Sequence, residues 1–129
     1  MPEPVIICLH QPALELAEKV ASLCDGEVHG LQSRVNTIPK TFEKTKEHLR
    51  DLFQKGHPLV GICSSGILIR SLADVLSDKH TEPPVLAVAE DGSCVIPLLG
   101  GHHGANDLAR KIASGLGVVA AVTTAGDLN

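Results

Sequence analysis

Tryptophan and tyrosine are missing from this chain and phenylalanine occurs twice, so aromatics make up only 2% of its 129 residues. Proteins that hold single-stranded nucleic acid stack its bases on aromatic rings, and there are too few rings here for that. Positive charge is also scarce. Eleven Lys and Arg against fifteen Asp and Glu leave a net charge of −4, with a pI near 5.9. No global positive field would gather a polyanion, so nucleic acid is not an expected partner. An anionic ligand would have to be held by local donors.

Long apolar runs are absent too. The opening "MPEPVIICL" has neither a basic leader nor an extended apolar stretch, so no signal peptide is expected. No segment approaches membrane-spanning length, so no membrane partner is expected and the chain reads as cytoplasmic. The four cysteines, Cys8, Cys24, Cys63 and Cys94, form no C-x-x-C pair. They are expected to be reduced and mostly buried, with neither a disulfide framework nor a metal site.

What is present is aliphatic. The chain is 43% hydrophobic, and Val, Ile, Leu and Ala must build the core of a single domain spanning 1–129. Short β-branched runs predict strands near 5–9, 59–63, 85–89, 94–99 and 118–123, with 27–35 an ambiguous edge segment. Helical spacing places Leu14, Ala17, Val20, Ala21 and Cys24 on one face of a first helix that Gly26 ends. A second helix is expected from Thr41, with Phe42, Leu49, Leu52 and Phe53 on its stripe. A third runs over 67–76 with Ile69, Leu72, Ala73 and Leu76 inward, and a fourth from Asn106 to Gly115 or Leu116. Alternating strands and helices predict an α/β fold, a three-layer α/β/α sandwich with a mostly parallel sheet of about five strands. The "EDG" turn at 90–92 implies one antiparallel pair.

In such folds ligands sit at the carboxyl ends of the strands. Three segments follow strands in this reading: "SSG" at 64–66, "GGHHG" at 100–104 and "TTAGD" at 123–127. They are expected to share one cleft. The glycines Gly100, Gly101 and Gly104 let backbone approach a ligand, and the helix beginning near Asn106 offers free N–H groups. His102 and His103 add donors or a base, or are solvated loop residues. Ser64 and Ser65, followed by Gly66, are placed either to cap the helix over 67–76 or, with that glycine, to touch a ligand. Arg70 snorkels, pairs with an acid such as Asp74, or serves the same ligand. Thr123 and Thr124 supply hydroxyls, with capping the structural alternative.

Residues 66–127 resemble the amino-terminal domain of the CbiG-type cobalamin-biosynthesis proteins. The landmarks are "GILIRSLADVLSDKHTEPPV", "VIPLLGGHHGANDLARKIASGLG" and "TTAGD". The resemblance implies a corrin-ring precursor, a precorrin or cobalt-precorrin, as ligand. Stand-alone members are cobalt-precorrin-5A hydrolases, which open a ring lactone and release acetaldehyde. For that activity the resemblance implies His102 as the base that activates water, since it falls on the family's single histidine. The form here has Gly100 where serine is usual, and only Gly104 before Ala105 and Asn106. That form is more similar to the copy fused to precorrin-3B C17-methyltransferase. It implies an accessory domain excised from a longer protein, partnered by a C-terminal methyltransferase or by a second CbiG-type domain. The domain itself would need no cofactor. S-adenosylmethionine would belong to the fused methyltransferase.

Overall fold

The chain alternates strand and helix from its first buried segment, "VIIC", which forms β1 (Val5–Cys8). Every residue of β1 is buried, as a strand covered on both faces requires. Pro12 sits in a short 3-10 turn that leads into α1 (Leu14–Cys24), whose inward residues are the five expected ones. Asp25, not Gly26, takes the left-handed position that stops the helix, with φ 55°. The computed structural model describes residues 2–123.

The ambiguous segment 27–35 yields one strand, β2 (Glu27–Leu31), and the two-residue β3 (Thr41–Phe42) forms where the second helix was expected to begin. The second helix therefore starts later than its sequence suggests, as α2 (Thr45–Gln54). Phe42 is buried as expected, but from an edge strand whose backbone pairs with Gly30 and Leu31. β-forming Thr41 and Phe42 gain that pairing only because β2 lies alongside, a tertiary effect that overrides the helical stripe.

β4 (Leu59–Ile62) is fully buried and leads into α3 (Ser65–Leu72), which tightens into a 3-10 turn over Ala73–Val75. The phase of α3 differs from the expected one. Leu68, Ser71 and Leu72 face inward, while Ile69, Ala73 and Leu76 are exposed. β5 (Val85–Val88) turns back at Gly92 into β6 (Val95–Leu99), followed by α4 (Ala105–Leu116). The expected strand at 118–123 is reduced to a single bridge between Ala120 and Val95. It lies outside β6 with nothing described beyond it, so only one partner can order it.

Among the described residues the sheet has six strands in the order β3-β2-β1-β4-β5-β6. All neighbours are parallel except β5 and β6. Helices α1 and α4 pack on one face, against Ile6, Cys8, Val60, Ile62, Leu86 and Val95. Helices α2 and α3 pack on the other, against Val5, Ile7, Leu59, Val85 and Ala87. This is the three-layer α/β/α sandwich. No helix among the described residues is long and apolar enough to cross a membrane.

Candidate functional site

The strand order reverses between β1 and β4, because the chain leaves β1 for β2 on one side and later returns to β4 on the other. Such a switch point leaves a crevice at the carboxyl ends of the two strands. His10 follows β1 and Glu90 follows β5, and His10 Nε2 lies 2.8 Å from Glu90 Oε1. Since β4 lies between β1 and β5, this pair brackets the end of β4, where Ser64 and Ser65 begin α3. Ser64 occupies the capping position, yet its hydroxyl makes no cap bond and stays exposed.

Arg70 joins this edge from the next turn of α3. Its guanidinium folds back over Gly66, where a Cβ would stand 2.7 Å from Nη1. Asp74 is not its partner, because Lys46 and Arg50 of α2 each reach that carboxylate at 3.6 Å. The two thiols near the crevice are unsuited to nucleophilic work. Burial, and next the nearby Glu90 charge, push Cys63 up to about 11. Burial is also the main cause that raises Cys8, whose Sγ–H donates to the His10 carbonyl at 3.3 Å. All four cysteines are free, as expected.

The glycine–histidine segment lies elsewhere. Leu99 pairs with Val85, Val85 with Leu59, and Leu59 with Val5, so the end of β6 sits level with the beginnings of β1, β4 and β5. At about 3.3 Å per residue, roughly 15 Å of strand separates it from Ser64. The expectation of one shared cleft is therefore wrong. Ser64, Ser65, Gly66 and Arg70 hold the carboxyl edge. Gly100, Gly101, His102, His103, Gly104 and Asn106 hold the amino edge. The physical reason is the reversal of β6, whose own carboxyl end points the opposite way from those of its neighbours.

At the amino edge Gly100 is buried and left-handed, and its carbonyl accepts the N–H groups of His103 at 2.9 Å and Ala105 at 3.2 Å. His103 donates from Nε2 to the His80 carbonyl, and the His102 ring leans on the His80 ring with centroids 4.5 Å apart. Both histidines are exposed. Thr123 does come to this edge, where it lines a cavity of about 100 Å³ with Leu98, Leu99, Gly101, Ala105 and Asn106. Thr124 lies outside the described residues.

A family profile described as the cobalamin synthesis G amino-terminal domain matches residues 47–127, well over half the chain. The chain belongs to the CbiG amino-terminal family. Two cobalt-precorrin-5A hydrolases resemble this CbiG domain over 81 residues, 62% of the chain. The one from Priestia megaterium is 40% identical and that from Salmonella typhimurium 42%. The matched part is only 22% and 23% of those proteins' own length. The fold agrees with a crystal structure described as a cobalamin biosynthesis protein G homologue from Sulfolobus solfataricus. It shares 22% identity at a TM-score of 0.68, over 94% of this chain and 36% of that one. The CbiG domain is thus part of cobalamin biosynthesis. His10 stands before the matched residues, and Glu90 stands within them. Both directly follow strands that are legible in the sequence, so their positions were the available signal.

Proposed function

We propose that this CbiG domain binds a corrin-ring precursor at the carboxyl edge of its sheet, as an accessory domain of a larger cobalamin-biosynthesis enzyme. The supporting observation is Arg70. It has no acid partner among the described residues, and its guanidinium lies over Gly66 in the first turn of α3, two residues along the chain from exposed Ser64. Corrin precursors carry acetate and propionate carboxylates, which suit a guanidinium, hydroxyls and helix N–H groups held together. The His10–Glu90 pair fixes the imidazole at the crevice, so that its remaining nitrogen can serve the same ligand. In this reading the chemistry belongs to the enzyme's other part, a precorrin-3B C17-methyltransferase that brings its own S-adenosylmethionine, or a second CbiG-type domain.

A second reading follows from the names of the relatives. There the domain takes part in opening the lactone of cobalt-precorrin-5A, with His102 as the base that draws the proton from water. Absorbance titration with a precorrin separates the two readings. Arg70→Gln should weaken binding about tenfold or more, the loss of one charge-assisted hydrogen bond. His102→Ala should leave it unchanged. The reverse pattern moves the ligand to the histidine edge and restores the hydrolase reading. Wild-type affinity in both variants would remove both sites.

A further inference from the structure

The first part of the chain, which the family profile barely enters, carries a chain of three polar side chains with no role in the proposed function. Glu27 and His29 lie on β2 and His48 on the first turn of α2. Glu27 Oε1 is 2.7 Å from His29 Nε2, and His29 Nδ1 is 2.8 Å from His48 Nε2. Lys40 Nζ approaches the same carboxylate oxygen at 3.5 Å.

With His29 neutral, the bonds determine where the hydrogens are. An ionised carboxylate only accepts, so His29 must donate from Nε2. Neutral His29 is then an acceptor at Nδ1, and His48 must donate from Nε2. His48 is left with a bare lone pair at Nδ1. Its ring cannot readily turn to another arrangement, because Phe42 stacks on it with centroids 4.5 Å apart and planes 10° apart.

That nitrogen is not fully buried. No buried side-chain polar atom among the described residues lacks a hydrogen-bond partner, and His48 Nδ1 has no partner among them, so it is not buried. His48 borders an open groove of about 620 Å³, and Glu27 and His29 are not among the residues that line it. The groove is also lined by Thr41, Glu43, Lys44, Glu47 and Asp51. Glu47 lies 4.0 Å from Lys44, and Asp51 lies 2.9 Å from Lys55. Glu43 has no ion pair among the described residues.

A lone pair held in place and an unpaired carboxylate lining the same groove repel anions and accept from a cationic donor. We propose that this groove is a second ligand site, which binds an alkylammonium group through His48 Nδ1 and the Glu43 carboxylate. The carboxylate–imidazole–imidazole relay positions the acceptor, in the way that carboxylates orient ligating histidines elsewhere.

The test uses ethylammonium chloride as probe and sodium acetate at matched ionic strength as control. Ring-nitrogen resonances of His48 in the isotope-labelled protein are read at about pH 7.5, above the ordinary imidazole range. The expected result is a hydrogen on Nε2 in the free protein and a saturable shift of Nδ1 with ethylammonium but not acetate. Glu43→Gln, at an exposed position, should weaken the probe at least fivefold without touching the relay. His29→Phe should let the His48 tautomer change and weaken the probe as much. A hydrogen on Nδ1 in the free protein would overturn the proposal. So would an equal response to acetate, or wild-type affinity in Glu43→Gln.

Discussion

At Gly100 the backbone is left-handed, with φ 84°, and a Cβ would stand 2.5 Å from both the Cα and the N of Pro84. Those are backbone atoms, so nothing can swing aside. Gly101, the next residue, has nothing within 4 Å of its would-be Cβ and no positive φ. The two glycines read alike in the sequence and differ completely in the fold. Gly100→Ala is expected to destabilise by about 2–4 kcal/mol, combining left-handed strain with overpacking. Gly101→Ala should stay within about 0.5 kcal/mol of wild type, the ordinary range for surface changes. Urea denaturation of both variants checks this, and equal midpoints would mean that Pro83 and Pro84 do not press on the loop. A serine at 100 would meet the same backbone atoms.

The elements differ in how firmly their sequences set them. β1 and β4 are legible because four consecutive buried residues admit few alternatives. α1 and α4 are legible because eleven and twelve residues repeat the helical spacing enough times to fix its phase. α3 has only eight residues, and Ile67, Leu68 and Ile69 stand in a row, so two apolar stripes compete. Packing decides between them. Gly61 of β4 leaves room for Leu68, whose Cδ2 lies 2.8 Å from where a Cβ would be. Leu68→Ala should therefore destabilise by about 2–5 kcal/mol, the range for emptying a buried leucine site. Ile69, 53% exposed, should tolerate Ala within about 0.5 kcal/mol. Thermal or urea unfolding of the pair tests the phase of α3, and the opposite ranking would restore the expectation that Ile69 faces inward.

On the scale of the whole molecule, fold class was legible and the arrangement of sites was not. The "EDG" turn correctly announces an antiparallel β6, and that reversal sends "GGHHG" to the amino edge. The rule for carboxyl ends holds only for strands that run with the rest. The Glu27–His29–His48 chain was illegible for another reason, since residues on a weak edge strand and on an exposed helix meet only after β2 and α2 have docked. Its effect should nevertheless reach the stability of the entire fold. Burial, and then the nearby His29, lower His48 from its ordinary value of 6.5, with Lys55 acting the same way and Asp51 opposing. Glu27 is lowered from 4.5, first by its hydrogen bond from His29 and further by Lys40. For both groups the unfolded chain binds protons more readily than the folded one, so stability must rise with pH across their titration. The His48 contribution is complete above 6.5 and is lost as pH falls through its lower folded value. Loss of the Glu27 contribution follows below 4.5. Urea midpoints measured across this range should fall on acidification in the wild type, beginning near the ordinary imidazole value. His48→Gln should flatten the upper part of that slope and keep the lower, carboxylate part. An unchanged profile in His48→Gln would show that His48 takes up its proton as easily in the fold as in the unfolded chain.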